Sequence, residues 1–302
     1  MKKQVFNPYL PSYEYIPDGE PRVFDGRLYI YGSHDCFNGV VYCQNDYVCW
    51  SAPEDDLSDW RYEGVIFKKT QDPRNADGEH KLWAPDVCQG NDGRYYLYYC
   101  LDFFKEIGVA VADDPAGPYE FLDFVRYPNG DILGGGIGET RQFDPGIFID
   151  DDKRIYLFSG NSPRYKTTPT DKDSMKMELE QDMVTIKDGP YHNLPIINQA
   201  DGTEFEAHPF FEASSIRKIN GKYYFIYSST WMHELCWAVA DSPLGEYHFG
   251  GVLVSNSDIG ANGNTEALNY RGNTHGSVAF VNGKWYVFYH RQTNRQFFSR
   301  QA

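Results

Sequence analysis

Asn91–Cys100 reads NDGRYYLYYC, a polar Asn-Asp-Gly turn followed by one basic residue and an unbroken aromatic and aliphatic strand. An Asp-Gly or Asn-Gly pair supplies the positive φ angles of a tight hairpin turn, and the residues after it alternate between two faces. The same phrase occurs four more times. It reads FDGRLYIYGS at Phe24–Ser33, DDKRIYLFSG at Asp151–Gly160, INGKYYFIYSS at Ile219–Ser229 and VNGKWYVFYHR at Val281–Arg291. Only the third copy has lost its glycine.

The copies recur about every 60 to 70 residues, too long a period for a helical solenoid and right for a four-stranded sheet. A second phrase follows several of them: VCWSAPEDDLSD at Val48–Asp59, IGVAVADDPAGPY at Ile107–Tyr119 and CWAVADSPLGEY at Cys236–Tyr247. Each is a short apolar strand, an acidic, proline-containing turn and an aromatic, as expected of the outer strands of a blade. Five such units cannot bury their own faces singly, and closing radially around an axis does so while protecting most sheet edges. The expected fold is an all-β, five-bladed β-propeller spanning residues 1–302. A double-sheet sandwich would not repeat on so long a period. Asn161–Pro209 and Val252–Asn273 stand outside the regular units; MKMELEQDM in the first reads as an outer strand and the second as a long loop.

The composition agrees. Aromatics make up 17% of the 302 residues, with 24 Tyr and 20 Phe, and such side chains fit half-buried pleated surfaces. The formal charge of −15 disfavours nucleic acid or an anionic membrane surface as a partner and leaves neutral sugars open. Six cysteines contain no C-x-x-C pair, so they read as free thiols rather than a zinc site. Met1 to Leu10 carries no stretch resembling a signal peptide, and a cytoplasmic location is expected.

Hydrolysis of a glycosidic bond needs an acid for the leaving oxygen and a base for the attacking water. In a propeller the innermost strands aim their ends at the axis. Three carboxylates stand where such strands begin: Asp18 in IPDGEPRVF, Asp144 in QFDPGIFIDDD and Glu212 in PFFEASSIRK. Any one could cap a turn, but matched placement at three blades points to chemistry. Asp150, Asp151 and Asp152 read instead as a solvated hairpin tip.

These motifs together resemble glycoside hydrolase family 43. The resemblance runs through NPYLPSYEYIPDGEP, LYIYGSHD, LWAPDV, FDPGIFIDDD, FFEASSIRK and HGSVAFVNGKWYVFYHR, in that order and over nearly the whole chain. It implies an inverting hydrolase of α-L-arabinofuranosyl or β-D-xylosyl linkages in plant cell-wall polysaccharides or oligosaccharides. Asp18 then resembles the general base, Asp144 the aspartate that tunes and orients the acid, and Glu212 the general acid. The family's usual base is followed directly by proline, whereas here Gly19 follows Asp18 and it is Glu20 that precedes Pro21. Ungapped alignment back from YIYGSHD favours Asp18; alignment on the proline favours Glu20.

The resemblance also places His275 beneath the site, where a histidine can help to hold a calcium ion; no cofactor is otherwise required. Arg291 resembles an arginine that reaches the sugar or the acid. Trp83 and Phe37 are candidate stacking walls for a sugar ring, with burial among propeller aromatics the simpler account. His34 and Asp35 follow the first strand closely enough to line the pocket. Asp86 reads as structural. The alternatives are a non-catalytic glycan-binding propeller and another propeller glycosidase or phosphorylase. No G-x-S-x-G, P-loop or H-E-x-x-H is present, and GGGIG at Gly134–Gly138 lacks the helix that phosphate binding needs.

Overall fold

Each repeated phrase forms the hairpin that joins the two inner strands of a sheet. The computed structural model describes residues 8–260, 263–268, 270–293 and 296–302, which leaves the start of the Met1–Leu10 stretch and parts of the Val252–Asn273 loop outside. In the first sheet β1 (Glu20–Phe24) and β2 (Arg27–Tyr31) pair antiparallel, with Phe24 opposite Arg27 across the two-residue turn Asp25–Gly26. Both turn residues have positive φ, 47° and 78°, the geometry that only Asn, Asp and Gly adopt cheaply. Asn220–Gly221 and Asn282–Gly283 repeat it. The glycine-less third copy makes a longer loop, in which the amides of Asp150 and Lys153 close onto Arg154 and Asp150.

The first sheet is completed by β3 (Tyr47–Pro53) and β4 (Arg61–Phe67). The second runs β5 (Asp86–Gln89), β6 (Tyr95–Cys100), β7 (Ile107–Ala112) and β8 (Glu120–Phe124). The third runs β9 (Gly146–Ile149), β10 (Ile155–Gly160), β11 (Ser174–Leu179) and β12 (Ile186–His192). The fourth runs β13 (Phe210–Ile219), β14 (Lys222–Ser229), β15 (Glu234–Ala240) and β16 (His248–Ser255). A fifth sheet contains β17 (Gly276–Val281) and β18 (Lys284–Tyr289), and a separate short pair joins β19 (Arg291–Gln292) to β20 (Arg300–Gln301).

The inner strands β1, β5, β9, β13 and β17 touch one another in turn and close a ring, β17 meeting β1. The arrangement is an all-β propeller of four complete blades with a two-stranded fifth sheet closing the circle among the described residues. Asn161–Pro209, expected outside the regular units, supplies both outer strands of the third blade; SMKMEL is β11.

Period two explains the packing. On β6, Tyr95, Leu97 and Tyr99 face the first blade and join Tyr31, Tyr47 and Phe67, while Tyr96 and Tyr98 face the third and join Ile147, Leu157 and Met177. Tyr156 and Phe158 likewise meet Phe210, Phe225 and Tyr227 between the third and fourth blades. Leu28, Ile30 and Trp50 meet Val281 and Phe288 between the first and fifth. Each buried large side chain contributes about 1.5–3 kcal/mol. Phenol groups reach carbonyls at the margins: Tyr31 donates to Pro115 O at 2.7 Å and Tyr227 to His208 O at 2.8 Å. The aromatic richness of the chain is thus the filling between blades.

Candidate active site

The three carboxylates reach the axis through irregular backbone. Asp18 (φ 60°) and Asp144 (φ 44°) both adopt left-handed conformations just before β1 and β9. Glu212 lies on β13 itself, where the register with β14 slips on either side of it and Ala213 has φ 69°. A bulge of this kind re-aims one side chain, and non-glycine residues at positive φ persist where surrounding structure holds them. Gly146 permits the closest approach: a Cβ there would stand 2.4 Å from the carbonyl oxygen of Ser214 on β13. That contact brings Asp144 beside the bulge, and the Ala213 amide donates to Asp144 Oδ2 at 3.1 Å.

The environments of the three carboxylates differ in kind. Although burial alone would raise the Asp18 pKa, the Arg300 guanidinium, whose Nη1 stands 3.0 Å from Oδ1, holds the carboxyl well below the usual carboxylate range. The Asp18 amide donates to His290 Nδ1 at 2.9 Å, so that nitrogen carries no proton, and Nε2 donates to Asn273 O at 2.8 Å. His290 is therefore neutral, in agreement with a pKa lowered by its burial. Glu212 is paired with no guanidinium among the described residues, and the charge of His275 offsets only part of its shift. Burial, then the charges of Asp144 and Asp18, push its pKa up to about 8, and its one neutral contact is from Asn273 Nδ2 at 3.3 Å. Burial also raises Asp144, against the opposing charge and hydrogen bond of His275.

His275 sits under the carboxylates, fully enclosed, its Nδ1 3.5 Å from Asp144 Oδ2. Burial opposes its charge, but the Asp144 hydrogen bond and the charges of Asp144, Asp18 and Glu20 outweigh it and raise the pKa to about 9. Deeper along the axis lies an ion network that plugs the ring. Arg22 pairs with Asp86 through Nε at 2.9 Å and through Nη2, and donates to Ile147 O at 3.0 Å. Arg217 pairs with Glu20 at 2.8 Å and donates to Val278 O and Pro21 O. Glu20 is thereby committed to the plug, and Asp18 is the carboxylate grouped with Glu212 and Asp144. Asp86 is structural, as its sequence context indicates.

The remaining expected residues divide. Asp35 is buried and receives both Nε and Nη2 of Arg300, at 2.8 and 3.0 Å, so it anchors the arginine rather than lining the pocket. His34 bridges Glu14 and Asp46 O, each at 3.0 Å. Phe37 is 53% exposed and stacks on Tyr15. Trp83 packs against Phe143, the neighbour of Asp144, and with Tyr42 and Phe298 lines a cleft of about 450 Å³ rimmed by Lys81, Asp102 and Arg141.

Arg291 corrects the expectation. Its guanidinium is 40% exposed and stands 3.9 Å from Asp258, because alternation on the strand after His290 turns it away from the buried side. The arginine that meets the carboxylates is Arg300, fully buried, packed over the Tyr42 ring at 4.1 Å and hydrogen-bonded to Asn273 Oδ1 at 3.4 Å. Nothing in FSRQA signals this, since it lies beyond the last repeat. Asn273, in the glycine- and asparagine-rich loop, was equally silent.

Comparison with known proteins agrees with this geometry. Residues 21–302 match the model of glycosyl hydrolases family 43. A xylosidase/arabinosidase of Thermoclostridium stercorarium is 54% identical over 100% of this chain and 64% of its own length, so the chain spans less than two thirds of that relative. A beta-xylosidase of Xylanibacter ruminicola is 33% identical over 93% of this chain and 89% of its own. A β-xylosidase/α-arabinofuranosidase from a compost microbial metagenome, solved with xylotriose in a calcium-free form, superimposes with a TM-score of 0.75 at 26% identity, covering 99% of this chain and 93% of that one. With the motifs in order on a propeller and the carboxylates gathered at its axis, the chain belongs to glycosyl hydrolases family 43.

Proposed function

We propose that the chain is an inverting glycoside hydrolase acting on α-L-arabinofuranosyl or β-D-xylosyl linkages, with Glu212 as general acid, Asp18 as general base and Asp144 as the residue that tunes the acid. The observation that carries this reading is the divergence of two neighbouring carboxyls. Glu212 is pushed up to about 8 and keeps its proton at neutral pH, while Asp18 is held far below and stays ionised. Two titratable groups driven apart by their surroundings are the mark of an acid and base pair.

In the reaction, Glu212 passes its proton to the glycosidic oxygen as the bond to the anomeric carbon breaks. Asp18 takes a proton from a water that attacks that carbon from the opposite face, so the product has inverted configuration. Proton exchange with solvent returns both groups to their starting states. Arg300 keeps Asp18 ionised and fixes its direction, and neutral His290 holds the backbone behind it. The names of the relatives support xylose- and arabinose-containing substrates, and the aromatic cleft beside Asp144 suits a sugar ring.

For a cation, His275 offers one nitrogen, and Asp144 Oδ1 and Glu20 Oε1 are buried oxygens with no hydrogen-bond partner. That set suits a hydrated calcium ion, whose waters would satisfy the free oxygens, better than one bound by protein atoms alone. When bound, the ion would supply a fixed positive charge beside the carboxylates, the service that protonated His275 gives by itself.

The test compares wild type and Glu212→Ala on aryl α-L-arabinofuranosides and β-D-xylosides of graded leaving-group ability. A lost general acid costs about 100- to 10,000-fold on poor leaving groups and far less on highly activated ones. Equal losses on both would remove Glu212 from the acid role.

A further inference from the structure

On the fourth blade, outside the set of axial carboxylates, a histidine, a glutamate and a cysteine converge. His208 Nδ1, Glu234 Oε2 and Cys236 Sγ all lie within 4.8 Å of one another. Glu234 and Cys236 are two apart on β15 and so share a face. His208 comes from the loop that enters β13, four residues ahead of Glu212. We propose that these three side chains form a binding site for a borderline divalent cation, of the zinc type, that ties the loop ahead of the Glu212 strand to β15.

Imidazole nitrogen, carboxylate oxygen and thiolate sulfur are the donors such ions take, and three protein ligands leave a fourth position for water. A tetrahedral ion with bonds of about 2.0–2.3 Å wants its donors roughly 3.3–3.8 Å apart. Two of the three donor pairs stand near this range: His208 Nδ1 to Glu234 Oε2 is 2.8 Å and Cys236 Sγ to the same oxygen is 4.0 Å, and the third pair, Nδ1 and Sγ, lies within 4.8 Å. The first contact opens slightly and the second closes.

The supports of each ligand are in place as well. The His208 ring lies flat on Phe249, with centroids 4.9 Å apart and planes 7° from parallel. Its backbone carbonyl accepts from Tyr227 OH at 2.8 Å. Ser229 Oγ donates to Glu234 Oε2 at 2.8 Å, the outer-shell hydrogen bond that metal carboxylates characteristically carry. His208 is 24% exposed, which gives the ion a way in, whereas Cys236 is enclosed. On binding, the Cys236 thiol proton leaves to solvent, and the proton that His208 Nδ1 now donates to Glu234 moves to Nε2. A histidine–glutamate hydrogen bond alone would need neither the converging sulfur nor the stacked ring.

The experiment is a titration of the full chain, stripped with chelator, by Co2+ as a spectroscopic probe. We expect one equivalent to bind with a near-ultraviolet thiolate-to-cobalt charge-transfer band. The band should vanish in Cys236→Ser and persist in Cys36→Ser, which removes the exposed thiol, and in His275→Ala, which removes the axial histidine. Affinity should fall at least about tenfold in Glu234→Gln and in His208→Ala, the latter at a partly exposed position. Zn2+ should raise the thermal midpoint of wild type and leave that of Cys236→Ser unmoved. Absence of the band in folded wild type, its survival in Cys236→Ser, its loss in Cys36→Ser, or unchanged affinity in His208→Ala would each overturn the site.

Discussion

In the proposed roles, Asp144 acts on Glu212 through its charge rather than through a hydrogen bond. Burial and then Asp144 are the largest influences raising Glu212, so the alkaline limb of kcat/KM, where the acid loses its proton, should fall near pH 8. Asp144→Asn deletes one negative charge and with it part of the cost of ionising Glu212. The limb should move to lower pH while the acidic limb, set by Asp18 against Arg300, stays well below the ordinary carboxylate range. A pH–rate profile of both proteins reads this directly, and an alkaline limb that stays put or rises would remove the coupling. The same raised pKa bears on stability. A carboxyl protonated in the folded state and ionised in the unfolded one costs nothing below its unfolded pKa, and the cost grows as pH rises towards 8. At this scale the sequence was informative about Asp18, Asp144 and Glu212 because each sits at a strand entrance beside a repeat. It was uninformative about Arg300, because burial of a lone arginine after the last repeat depends on where the chain returns in space.

Glycines at the level of the element separate geometry for function from geometry for folding. Gly146 lets β9 approach the Ser214 carbonyl of β13, whereas Gly221 serves a hairpin turn at φ 78° with open space where a Cβ would go. Gly146→Ala must push two inner strands apart and should cost about 1–3 kcal/mol together with a loss of kcat, since Asp144 and the Glu212 bulge move with those strands. Gly221→Ala strains only the turn, at about 1–2 kcal/mol, and should leave kcat unchanged. Denaturant midpoints and kcat measured on both variants check the pair; an active Gly146→Ala would break the link between that contact and the site. The hairpins themselves were readable because Asp-Gly and Asn-Gly specify their own turn. The outer strand β11 was readable as well, since SMKMEL alternates strictly, whereas β12 was harder because Gly189 and Pro190 interrupt its pattern.

For the molecule as a whole, the plug of Glu20, Arg217, Arg22 and Asp86 ties three inner strands together where a propeller would otherwise have an open channel. Glu20 and Arg22 are two apart on β1, and period two alone puts them on one face; read that way, the sequence does carry the plug. Removing one partner of a buried pair leaves the other uncompensated, so Arg217→Met should destabilise by about 3–5 kcal/mol. The plug belongs to the ring and not to one blade, and the variant should still unfold in a single transition at a lower denaturant midpoint. Separate unfolding of one blade would contradict that picture.

In the proposed reaction a water attacks from the face opposite the leaving group, prepared by Asp18 while Glu212 gives up its proton. The most direct test is proton NMR of the first sugar released from an aryl α-L-arabinofuranoside or β-D-xyloside by the wild-type protein, recorded before mutarotation. The anomer first seen should be the inverse of the substrate's; a first product that retains the substrate's configuration would contradict the inverting mechanism.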